Sequence, residues 1–274
     1  MVKKIIIYIM NFFLVIFVFT LSSLLIFSNT ILNKQYVKEI LEKNNYYEKT
    51  YYNIQNDFEN YILQSGLDKD ILNNLYDMEK VNSDINMVID AIYDGSEIKV
   101  DTTKIIQELD DRINEVLKQN NREPEKEERE EIEIFENTIA QVYYDGITYS
   151  IDDVKEISNI IKQLKVAIKN IEMILIVVSI LELLIILFIN KSVRKNANTL
   201  GIMMLTVGII GIAIKILIGD RTHDILILNL AFSASLIDLI NSIISKFFIL
   251  GVTMSVIGLV IIILSNCLKR KLIE

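Results

Sequence analysis

Apolar side chains recur at three- and four-residue spacing along most of the chain, the period of amphipathic helices. In four stretches, 5–27, 171–189, 200–218 and 247–264, the polar face disappears and the predicted helix is apolar all round. Crossing about 30 Å of hydrocarbon takes roughly 20 helical residues, so each stretch is a candidate membrane span. The first follows Lys3 and Lys4 as a signal peptide would. Its apolar run is too long for that role and no Ala-x-Ala-like site follows, so it reads as an uncleaved anchor.

Between the first and second spans the pattern predicts a series of helices. Val37, Ile40, Asn44, Tyr47, Tyr51, Ile54, Phe58 and Tyr61 form one seam, broken at Ser65-Gly66. Ser28, Asn29 and Thr30 do not forbid a helix. This element is therefore expected to continue from the first span, with 31–65 reaching about 50 Å at about 1.5 Å per residue. A short helix is expected over 67–75. Met78, Val81, Ile85, Val88 and Ile92 make a second seam that stops at Asp94-Gly95. Ile106, Leu109, Ile113 and Val116 make a third, capped by Asp101 or Thr102. Pro124 sits where a first-turn proline is tolerated, ahead of a helix that buries Ile132, Phe135, Ile139 and Val142 and ends at Asp145-Gly146. Tyr93-Asp94-Gly95 and Tyr144-Asp145-Gly146 echo one another. The plain reading is that Asp-Gly stops helices; the alternative pairs 97–100 with 147–150 as a two-stranded ribbon.

The element that organises the rest is a helix over 151–191, opened by Ser150 and Asp153 in a capping-box arrangement. Its seam runs through Val154, Ile157, Ile161, Leu164, Ile168, Ile171, Leu175 and Val178 in one phase, from a polar half into the second span. The next residue in that phase is Glu182. The helix is expected to join a soluble bundle to a membrane bundle. The fold class is thus all-α: a four-transmembrane-helix protein with a large helical-bundle extracellular domain between spans 1 and 2. The expected division is a tip and first span (1–30), an extracellular bundle (31–170), and spans 2–4 (171–274) with a short amphipathic outer loop at 219–246.

Charge placement supplies the orientation. Lys3 and Lys4, then Lys191, Arg194 and Lys195, then Lys269, Arg270 and Lys271 fall on one side if the chain alternates across the bilayer. Basic residues near spans face the cytoplasm, so both termini are expected inside and 28–170 outside. That outer stretch is acidic, with 30 acidic against 17 basic residues over 28–169. A net charge of −8 and the lack of a basic stripe exclude a nucleic-acid surface. Abundant Ile, Lys, Asn and Tyr fit an A/T-rich bacterial genome. The single Cys267 excludes an intramolecular disulfide.

Candidate chemistry is sparse. Glu182 is the sharpest feature, because an ionisable group inside a span faces the bundle, pairs with another group, or serves an ion path. Lys215, in the third span, is the other intramembrane charge and lies nearer the outer end. Gly208 and Gly211 in the third span, and Gly251, Ser255 and Gly258 in the fourth, are small residues spaced for close helix packing. Asp220, His223 and Asp224 sit in one outer loop, too few for a zinc site, and read as a solvated turn. Over 230–246 polar Ser235, Asp238, Asn241, Ser242 and Ser245 oppose Leu236, Leu239, Ile240, Ile243 and Ile244, an amphipathic helix leading into the fourth span. The paired tyrosines Tyr46, Tyr47, Tyr51 and Tyr52 read as core filling. With one His, one Cys and no phosphate-binding glycine loop, no catalytic constellation is recognisable, and neither a cofactor nor a metal is expected.

The order of one span, a large outer loop and three spans is similar to that of the cell-division and macrolide-export ABC permease subunits, whose outer domains contain sheet. A helical outer domain between spans also looks like bacterial helical sensor domains. The leading expectation is a non-enzymatic membrane protein that binds or scaffolds a surface component through its helical ectodomain. The alternative is a permease-like subunit working with a separate ATPase. The expected partners are the lipid bilayer and a protein, either another chain or a second copy.

Overall fold

The computed structural model describes residues 2–65, 68–148, 154–219 and 230–270. Among the described residues every regular element is helical and none is a strand. In chain order the helices are α1 (Val2–Ser28), α2 (Lys34–Lys43), α3 (Tyr46–Ser65), α4 (Met78–Asp94), α5 (Thr103–Gln119), α6 (Lys126–Thr148), α7 (Val154–Asn190), α8 (Val193–Ile218) and α9 (Leu230–Arg270), with a 3-10 turn at Lys69–Leu72. Four of them, α1, α7, α8 and α9, are long and apolar enough to cross a membrane. The chain forms two compact units, one of Met1–Val37 with Gln163–Glu274 and one of Lys38–Lys162.

In the first unit α8 and α9 pack along their lengths and α1 lies against both. Leu14 and Val15 of α1, Ile186 of α7, and Met203 and Val207 of α8 form its buried core. The expected continuation of the first span into 31–65 does not occur. Asn29 Nδ2 donates to the Leu25 carbonyl at 2.8 Å and Thr30 Oγ1 to the Ile26 carbonyl at 2.7 Å. These side chains stand close to the carbonyls that a further helical turn would use, and Asn33 Oδ1 then caps α2 by accepting from the Tyr36 amide. A second break follows at Asn45, which takes a left-handed φ of 52°. Asn is among the few residues that tolerate this conformation, because its short side chain bonds locally. The projected single rod is therefore three elements, not one.

The stretch 230–246 is helical, as its pattern predicts, and forms the first turns of α9, a continuous helix of 41 residues. Its polar face is engaged by α2: the Tyr36 hydroxyl bonds Ser242 Oγ, and Lys246 Nζ sits 4.0 Å from the centre of the Tyr36 ring. The turn at Asp220, His223 and Asp224, the opening at Ser150 and Asp153, and Gly66 lie outside the described residues.

In the second unit, α3 and α4 pack on α6, and α5 packs on α6 and on the 3-10 turn. Asp77 caps α4 by accepting from the Lys80 amide at 2.7 Å, and Gly95 ends it with φ 74°. A left-handed C-terminal residue of this kind is the conformation glycine supplies without strain. The second Tyr-Asp-Gly does something else. Helix α6 runs through Gly146 to Thr148, so neither a helix stop nor a ribbon forms there. A Cβ on Gly146 would lie 2.5 Å from Ile54 Cγ1, so this glycine lets α6 approach α3. The buried face of α6 is also turned from the expected one: Glu136, Ile139, Ala140, Tyr143 and Ile147 face inward.

Candidate functional site

Helix α7 carries Glu182 into the first unit, one turn before the core residue Ile186, so both lie on one helix face. Its side chain is 8% exposed and Oε2 has no hydrogen-bond partner. Lys215 does not supply one; it is exposed, and no ion pair joins it to Glu182. Counted from the turn at Lys191 and Ser192, Glu182 lies nine residues back along α7 and Lys215 twenty-three residues on along α8. At about 1.5 Å per residue the two charges differ in depth by roughly 20 Å. The rest of the α7 seam is less buried than its phase suggests: Ile168 is covered, while Ile157, Leu164 and Ile171 are exposed.

The small residues of α8 and α9 interlock. A Cβ on Gly208 would stand 2.6 Å from the Gly251 carbonyl oxygen, one on Gly211 2.8 Å from that of Phe247, and one on Gly258 2.7 Å from that of Gly201. Ser255 Oγ is buried against Gly208 without a hydrogen-bond partner. Gly201 completes the set, and its seven-residue spacing from Gly208 was the available signal. These contacts build a close-packed hairpin and offer no cavity.

The second unit holds a polar cluster that the sequence reading missed. Asp84, 5% exposed, accepts from the Tyr143 hydroxyl at 2.8 Å and from Lys80 Nζ at 3.0 Å. Lys80 also donates to the Asp101 carbonyl at 2.9 Å and lies 5.4 Å from the Tyr143 ring centre. Around them Tyr76 meets Tyr143 and Tyr51 edge-on, each at 5.2 Å between centroids, and Phe58 at 5.4 Å. Burial, then the bond to the Asp84 carboxylate, raises the Tyr143 phenol well above its ordinary value, so it remains a proton donor. The cluster is satisfied and closed, and it joins α4 to α6. Its signal was Asp84 at the three-four spacing of Val81, Ile85 and Val88.

A second acid behaves differently. Glu136 of α6 is 7% exposed, and its Oε1 has no hydrogen-bond partner. Burial and the nearby Asp110 carboxylate push it up to about 7, partly offset by Arg129, which pairs with Asp110 at 3.0 Å. Beside this region α5, α6 and the 3-10 turn enclose a groove of about 420 Å³ lined by Ile71, Ile113, Val116, Leu117, Ile132 and Phe135. Arg122 and Glu128, paired at 2.9 Å, and Glu131 stand at its edge. Val116 and Phe135, expected in the core, thus line an opening instead.

Among the described residues no group of three His, Cys, Asp or Glu side chains converges as metal ligands would. The chain matches no protein-family model, no curated protein and no solved structure.

Proposed function

We propose that the chain is a non-enzymatic multi-pass membrane protein whose helical Lys38–Lys162 unit lies outside the cell and binds or scaffolds a surface protein. The observation that carries this reading is the α5–α6 groove, an apolar slot of about 420 Å³ within an otherwise acidic unit. Its chemistry suits a protein segment that inserts apolar side chains and carries basic residues toward Glu131 and the acidic first turns of α6. A photo-crosslinker at Val116 of the full chain in native membranes should capture one partner. Phe135→Asp should abolish that capture, while Ile134→Asp, on an exposed position away from the groove, should leave it intact. Equal capture by both variants would sink the proposal.

The proposed orientation places both termini in the cytoplasm, as the basic residues beside the apolar helices favour. Cys267 is exposed and is the chain's one thiol, which makes a direct test available. A membrane-impermeant thiol reagent should label Glu123→Cys on intact cells and reach Cys267 only after permeabilisation. The second reading, a permease-like subunit with a separate ATPase, is favoured by the order of one apolar helix, a large insert and three more. Co-purification of an ATPase through the first unit, unaffected by Phe135→Asp, would support it over the binding module.

A further inference from the structure

Where α7 turns into α8 the first unit has a cleft of about 410 Å³ in which polar and basic side chains stand beside Ile7, Tyr8 and Ile202. The turn is made by Lys191, which adopts a left-handed φ of 49°, and by Ser192 in extended conformation. Ser192 caps α8 without a side-chain hydrogen bond, and the first turn of α8 holds no acid. Arg194 and Lys195 follow at once, both exposed and both lining the cleft. Neither forms an ion pair with a carboxylate among the described residues, and no carboxylate lines the cleft. Arg194 Nη2 reaches only the neutral Asn266 Oδ1 of α9, at 3.3 Å. Asn190 Nδ2, also of the lining, is buried and donates to nothing.

Two unpaired cations, a buried amide donor without an acceptor and the positive end of a long helix all call for negative charge. A phosphate answers that demand better than a carboxylate, since its several oxygens can meet a guanidinium in two places and still accept from amides. We propose that this cleft is a binding site for a phosphate group, held by Arg194 and Lys195 with Asn190 and Asn266 as neutral partners. Two sources share that chemistry, the headgroup of an anionic phospholipid and a free phosphate. Ile7 of α1 and Ile202 of α8 also line the cleft, and a lipid headgroup with its attached chains uses such apolar edges. Basic pockets between membrane helices are known to hold anionic headgroups. The lipid source rests on the membrane-spanning reading of the four apolar helices. Release of the protein into buffer without detergent would defeat that reading separately.

The test uses the full chain in nanodiscs of phosphatidylcholine containing either photoactivatable phosphatidylglycerol or photoactivatable phosphatidylcholine, with labelled peptides mapped by mass spectrometry. Phosphatidylglycerol should label peptides covering 190–202 and 266, and phosphatidylcholine should not. With each basic residue near the surface adding about fivefold to binding, R194Q with K195Q should cut the label about thirtyfold. The charge-keeping pair R194K with K195R should keep most of it, which separates loss of charge from loss of fold. Inorganic phosphate at constant ionic strength distinguishes the sources: protection of these peptides assigns free phosphate, and persistence of the lipid label assigns the headgroup. Equal labelling by both lipids without phosphate protection overturns the proposal. So does an undiminished label in R194Q with K195Q.

Discussion

Replacing Glu136 with Gln should make the protein more stable at neutral and alkaline pH, with an advantage that fades as the pH falls. In the fold this carboxyl is buried beside Asp110, and its titration is raised from an ordinary value of 4.5 to about 7. Glu133 adds to the repulsion and Arg129 opposes it. The folded state therefore binds the proton more tightly than the unfolded chain. Below about pH 4.5 both states hold it, and the acid form carries no penalty. As the pH rises toward 7 the unfolded chain releases the proton while the folded chain retains it, so stability falls. Each tenfold change in proton affinity is worth about 1.4 kcal/mol, which makes the full penalty of ionising Glu136 about 3 kcal/mol before any relaxation. Gln keeps the shape and cannot ionise. Its buried amide brings its own desolvation cost, but that cost does not depend on pH. The quantity to measure is therefore the difference between variant and wild type, at pH 5 and again at pH 8. Urea unfolding of the full chain in mild detergent, followed by the near-ultraviolet dichroism of the tyrosine cluster, supplies both values. The gap should widen in favour of Gln by about 2 kcal/mol from pH 5 to pH 8. A gap independent of pH, or one that widens in favour of Glu, would refute the reasoning.

Other perturbations follow from the same packing. Tyr143→Phe removes one of the two donors to buried Asp84 and should cost about 1–3 kcal/mol in the same urea assay, with helix content unchanged. Gly208→Leu drives a side chain into the Gly251 backbone, which cannot yield. It should lower the melting temperature in detergent and abolish a disulfide engineered between α8 and α9, whereas Thr206→Leu, exposed on the same helix, should do neither. The two Tyr-Asp-Gly glycines should separate cleanly. Gly146→Ala should cost less in an Ile54→Ala background, which removes the Cγ1 it meets. Gly95→Ala is strained by its positive φ, so no Ile54 change should help it, and Asn should be the best-tolerated replacement in a stability screen.

The sequence by itself determined the elements whose cause is local. A run of about 20 apolar residues has no stable choice in a membrane but a helix with its own backbone bonds satisfied, so α1, α7, α8 and α9 were readable without tertiary information. The Gly95 stop of α4 was equally local, since it depends on one backbone angle. The tertiary structure decided what depends on which surfaces meet. Periodicity gave α7 a continuous seam, yet Leu164 and Ile171 are exposed while Ile168 between them is buried. Asp84 and Glu136 are two acids among many in the helical pattern, and only the packing of α4, α5 and α6 buries both, one with its hydrogen bonds satisfied and the other with an oxygen left without a partner. Identical Tyr-Asp-Gly triplets ended one helix and continued another, because a φ angle is chosen at the first and the approach of Ile54 at the second. For Glu182 the sequence determined its depth in an apolar helix. The tertiary structure decided that its side chain would be buried and that Lys215 would stay exposed and not pair with it.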